Sequence, residues 1–152
     1  FAFHMEQRIR EAMYKAFWDG LEKDVEANNL EHVQKLLDEI KNTLKSFVPN
    51  RPDIHQKIDN DITGPDWEVQ KRLLVWIEKF QSPQYDSKTE QMKKQVPIKI
   101  SQFLQFYYDH LEIVNKEVFD TRQRIANGEN VFAPQNVSTS GNGVPNNLRA
   151  GR

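Results

Sequence analysis

Apolar residues recur along this chain at steps of three and four, a period that predicts helices rather than strands. Ile9, Met13, Ala16, Phe17, Leu21 and Val25 mark one face of a first helix from about Met5 to Glu26, widened by Tyr14 and Trp18. Ala27-Asn28-Asn29 reads as a turn, with Asn28 tolerating a left-handed backbone and Asn29 placed to cap the next helix. Leu30, Val33, Leu36, Leu37, Ile40, Leu44 and Phe47 then stay in register, backed by a solvated face of Asp38, Glu39, Lys41 and Lys45. Pro49 and Pro52 end that helix. Ile54, Ile58 and Ile62 predict a short third helix. After the break at Thr63-Gly64-Pro65-Asp66, a fourth helix buries Trp67, Leu73, Leu74, Ile77 and Phe80, with Trp76 beside the stripe. A lysine-rich helix is expected from Lys88 to Gln95.

The last helix is the longest, bounded by Pro97 and Gly128. From Pro97 to Asn127 it would span roughly 46 Å, against roughly 27 Å for the second helix. Ile100, Leu104, Tyr107, Leu111, Val114, Val118, Thr121 and Ile125 alternate steps of four and three, a heptad seam that keeps one stripe toward a partner helix. Phe103, Phe106, Tyr108 and Ile113 broaden its first half, whereas the second narrows to the seam plus Phe119. The seam outruns every other helix. Val114, Val118, Phe119, Thr121 and Ile125 are therefore the candidate partner-binding residues. Phe106 is expected to be covered from within the chain.

From Glu129 the period vanishes into asparagine, glycine, serine and proline, which predicts a disordered or draped tail over 129–152. Val131-Phe132-Ala133-Pro134 is its one stretch suited to docking on the bundle. Residues 1–4, ahead of Met5, read as an expression remnant. The organisation is thus one all-α domain over 5–128, a multi-helix bundle of about five to six helices with a long C-terminal helix.

Composition narrows the chemistry. The apolar share is 38%, below the usual ~45–50%, as narrow helices and a polar tail would give. Lysine and arginine total 21 against 22 acidic residues, so no net field draws the chain to nucleic acid or an anionic membrane. The chain lacks cysteine, which removes disulfides and thiolate chemistry and fits a cytoplasmic location. No apolar run approaches the ~18 residues a membrane helix needs.

No glycine-rich phosphate loop, nucleophile elbow or paired-carboxylate signature is present, so an enzyme is not expected. No catalytic, cofactor-binding or metal-ligating residue is assigned. His32, His55 and His110 fall on separate helices, and His110 with Asp109 and Glu112 reads as polar side chains facing solvent. Asn136-Val137-Ser138 matches a glycosylation acceptor by chance. Lys88, Lys93, Lys94 and Lys99 precede Phe103, Phe106 and Tyr107, a pattern on which bases can stack. The neutral net charge favours core rings and solvated lysines instead.

Ala16-Phe17-Trp18-Asp19-Gly20-Leu21, then Leu36-Leu37-Asp38-Glu39-Ile40-Lys41, Leu44 and Val48-Pro49, resembles the opening of the T-complex protein 11 family. The likeness continues through Arg51, Ile54 and Ile58 and fades after Ile62. Phe17, Trp18, Asp19, Leu36, Leu37 and Ile40 carry it as structural positions, with Trp18 anchoring a helical hairpin and Gly20 suited to close helix approach. Family members are usually longer. The resemblance implies a helical, non-enzymatic protein linked to cyclic-AMP and protein-kinase-A signalling, with no catalytic residues to carry over.

The leading expectation is therefore a helical protein–protein interaction module. Its partner is another protein or a second copy as a homodimer, without cofactor, membrane or nucleic acid. The alternatives are a nucleic-acid-associated protein using the Lys88–Lys99 region, or a structural component of a larger assembly such as a virion.

Overall fold

The computed structural model describes residues 2–128 and is built from helices, with no strand among those residues. The predicted tail and the acceptor pattern at Asn136 lie outside the described residues. The order is α1 (Ala2–Glu26), α2 (Glu31–Ser46), α3 (Pro52–Asp61), α4 (Val69–Glu78), a 3₁₀ turn (Pro83–Tyr85), α5 (Asp86–Gln95) and α6 (Ile100–Ala126).

Local chemistry sets the boundaries. Asn28 adopts φ 62°, the left-handed conformation that asparagine tolerates, and reverses the chain after α1. Asn29 Oδ1 accepts from the Glu31 amide at 3.3 Å as α2 begins. Pro52 opens α3, where its missing N–H has no helical partner to lose. The end of α2 is closed from a distance: the Arg122 guanidinium donates to the Ser46 and Phe47 carbonyl oxygens at 2.8 and 2.9 Å. A cation on those orphan carbonyls offsets both their lost hydrogen bonds and the negative end of the helix dipole.

The α6 helix is the centre of the bundle. Phe103, Leu104, Tyr107, Leu111 and Val114 are buried together with Val33, Leu37, Ile40 and Leu44 of α2, Ile58 of α3, and Leu73, Leu74 and Ile77 of α4. Each broad side of α6 also carries a polar bond to a neighbour. Tyr107 donates to the Leu73 carbonyl at 2.8 Å. Ser101 and Lys99 donate to Glu22 of α1 at 2.6 and 2.9 Å. With Tyr14 bonded to Asp109 at 2.7 Å, those contacts make α1 and α6 antiparallel neighbours.

Helix α6 starts at Ile100 rather than Pro97, and the reason is local. The Gln70 carboxamide donates to the Ile98 carbonyl at 2.7 Å and accepts its amide at 2.9 Å. Both backbone groups of Ile98 are thereby taken outside the helical ladder. Over its 27 residues α6 runs about 40 Å, still well beyond the ~24 Å of α2.

Trp67, Phe17 and Gly20 differ from the sequence expectation. Trp67 stays 74% exposed, because it sits in an Asx turn where Asp66 Oδ1 accepts the Glu68 amide at 2.9 Å, ahead of α4. Phe17 is exposed, because α1 turns Trp18, Leu21 and Val25 toward the bundle instead. Gly20 makes no close approach: a methyl group placed there meets nothing within 4 Å.

Candidate interaction surface

The candidate residues on α6 do not form one uniform surface. Val114 is fully buried in the chain's own core and drops out, while Val118 is half-buried against that core. Thr121 is exposed, as are Phe119 at 58% and Ile125. The division follows from length. Arg122 reaches the last carbonyls of α2, so Ile125, one turn further on, has passed the end of the helix that covers the seam.

Helix α1 exposes apolar surface of its own at Ile9, Met13 (67% exposed), Tyr14 and Phe17. The antiparallel pairing of the two helices brings the first half of one alongside the second half of the other. Between them and α2 lies an open groove of about 350 Å³, with Tyr14, Tyr108 and Leu111 in its wall and Thr43, Glu112 and Asn115 supplying polar groups. Burial and the bond to Asp109 push the Tyr14 phenol up to about 12, which keeps it a neutral donor. Phe119 and Ile125 lie beyond the cover of α2 at one end of the domain, where exposed apolar groups mark an interaction site.

The family-motif residues divide between core and surface. Trp18 is buried, edge-on to Phe17 at 5.0 Å and 5.9 Å from the Tyr108 ring. Leu36, Leu37 and Ile40 are buried beside it. Asp19 faces solvent, 2.8 Å from Lys15. Residues 1–63 match the T-complex protein 11 family. No curated protein matches the chain, and no solved structure does. The T-complex protein 11 segment begins at residue 1 and ends just past Ile62, the C-cap of α3. It therefore comprises α1, α2 and α3, and its buried residues Trp18 and Leu36 both meet Tyr108 of α6, outside the matched residues.

The other sequence candidates resolve differently. His110 is fully buried, not at the surface. Its Nε2 faces Gln81 Oε1 at 2.7 Å and its Nδ1 faces the Lys88 ammonium at 3.5 Å, as a neutral imidazole with the proton on Nε2 requires. Gln81 passes its own hydrogens to Asp86 at 2.9 Å and Thr89 at 3.1 Å, so this polar network is satisfied. The spacing Phe103, Tyr107, His110, Val114 places the histidine on a core face, a signal the sequence did carry. Of the four lysines in the basic segment, Lys93 pairs with Glu78 at 2.7 Å and Lys99 with Glu22 at 2.9 Å. Lys88 lies over the Tyr85 and Phe106 rings, and Phe106, packed against the core and stacked on His110, is covered from within the chain. Among the described residues no three His, Asp or Glu side chains are grouped to hold a metal, and no helix is long and apolar enough to cross a membrane.

Proposed function

We propose that the chain is a non-enzymatic helical module that binds another protein through the exposed last turns of α6. One observation carries this reading. Phe119 and Ile125 remain exposed on the last turns of α6, past the end of the helix that covers the rest of its seam. Leaving that much apolar area in water forgoes roughly 25 cal/mol per Å², which a bound partner would recover. The T-complex protein 11 match supports a place among signalling regulators linked to cyclic AMP and protein kinase A, and the lack of cysteine fits work in the cytoplasm. The basic segment gives less support to a nucleic-acid role, since Lys93 and Lys99 are ion-paired within the chain.

Site-specific photocrosslinking in the native cell tests the reading. A photoreactive phenylalanine at position 119 or 125 should yield a discrete protein adduct, and one at the exposed Gln56 of α3 should not. Equal labelling at both places would overturn it.

A further inference from the structure

Helix α1 has a second face that the bundle does not use. Trp18, Leu21 and Val25 point into the core. Turning about 100° per residue, the opposite face carries Ile9, Ala12, Met13, Ala16 and Gly20, with Phe17 at its margin, and all six are exposed. Small side chains at 12, 16 and 20 leave room for another helix to come close, and a methyl group on Gly20 would meet nothing within 4 Å.

The charges that flank this face have a centre of symmetry in the sequence. Arg8 and Glu26 lie nine positions either side of Phe17, and Lys15 and Asp19 two. Each pair joins opposite signs. When two identical helices pair antiparallel about a two-fold axis, positions equidistant from the axis stand level with each other across the interface. With the axis at Phe17, each of these cations meets an anion of the other copy on the same flank. Lys15 and Asp19, already 2.8 Å apart within one chain, would then close a ring of four alternating charges with their symmetry mates. A parallel pair would set Arg8 on Arg8 and Glu26 on Glu26 instead.

We propose that a second copy of this chain docks on the outer face of α1, giving an antiparallel homodimer centred on Phe17. The apolar strip from Ile9 to Gly20 supplies the contact, and the charge palindrome supplies direction and register, which is what surface charge does best. The two bundles lie on opposite sides of the helix pair, because each α1 turns Trp18, Leu21 and Val25 away from the interface. This dimer does not depend on the α6 surface: a failed crosslink at Phe119 leaves it standing, and a monomeric chain leaves the crosslink standing.

Sedimentation equilibrium on the full chain, with helix content followed by circular dichroism, tests it. The chain should sediment as a dimer, and Ala16→Glu on the exposed face should make it a monomer of unchanged helicity. Arg8→Glu alone and Glu26→Arg alone should each weaken the dimer about tenfold, since each disturbs two symmetry-related pairs. The double variant should return to within a few-fold of the unmodified chain. Positions 8 and 26 are about 27 Å apart along one helix, so rescue can only arise between copies paired antiparallel. A chain that stays monomeric at roughly 100 μM, where a micromolar dimer would be formed, overturns the proposal. So does a dimer indifferent to Ala16→Glu, or a double variant as weak as the singles.

Discussion

The Tyr108 hydroxyl donates to the Leu36 carbonyl oxygen across 3.0 Å and reaches Glu39 at 3.1 Å. That phenol ties α6 to the middle of α2, and burial beside the Glu39 carboxylate holds its pKa well above the usual tyrosine range. Tyr108→Phe keeps the ring against Trp18 and removes only the polar tie. It should cost about 1 kcal/mol in urea unfolding. Tyr108→Ala also empties the space beside Trp18 and should cost about 3 kcal/mol or more.

Burial pushes the His110 imidazole down to about 4, and the Lys88 ammonium adds to the effect. An unfolded histidine titrates near 6.5, so between pH 6.5 and 4 the unfolded chain binds the extra proton. Stability should be complete above about 6.5 and fall by about 2–3 kcal/mol as the pH drops toward 4. The groups around the ring are Lys88, Tyr85 and, through Gln81, Asp86. Comparing denaturation of the unmodified chain and His110→Gln across this range isolates the term. Equal slopes would show that the imidazole is already charged in the fold.

Gln70 serves both backbone groups of Ile98. Gln70→Leu preserves bulk and leaves that amide and carbonyl without their partner, at a cost of about 2–4 kcal/mol. Hydrogen exchange at the Ile98 amide should accelerate before global unfolding does. Unchanged protection there would mean that water replaces the carboxamide.

Two tryptophans nine positions apart should behave oppositely. Trp76 is buried, with its indole nitrogen donating to Asp61 at 2.8 Å, whereas Trp67 stands in solvent. Trp76→Ala should cost about 3–5 kcal/mol, and Trp67→Ala should stay within about 0.5 kcal/mol. Acrylamide should quench the fluorescence assignable to Trp67 far more readily than that of Trp76.

How much of this was legible in the sequence depended on whether one periodicity or two ran through a segment. The seam of α2 is unambiguous, and Val33, Leu36, Leu37, Ile40, Leu44 and Phe47 are all buried as it predicts. The wide first half of α6 was legible for the same reason. Helix α1 carries two apolar faces, one through Ile9, Met13 and Phe17 and another through Tyr14, Trp18, Leu21 and Val25. Periodicity reads them as one wide stripe; only the placement of α6 selects the buried side. Trp67 was misread because a helical register was extended across the turn that Asp66 closes. His110 was misread because residue type was weighed above its position between Tyr107 and Val114. Arg122 gave no local sign of its capping role, since the carbonyls it meets lie 75 and 76 positions away.

Glu22 bears on how the chain divides. Its two carboxylate oxygens hold Ser101 and Lys99, while the match that contains it stops at residue 63. Trp18, Leu36 and Leu37 likewise lie within the matched stretch and share one core with Phe103 and Tyr107 beyond it. An inherited boundary and a folding boundary are therefore different things in this molecule. Cut off after α3, the matched residues would keep their helical pattern but lose the pillar around which they close. A protein that carries this stretch in another setting must supply a substitute for α6, from its own chain or from a neighbour.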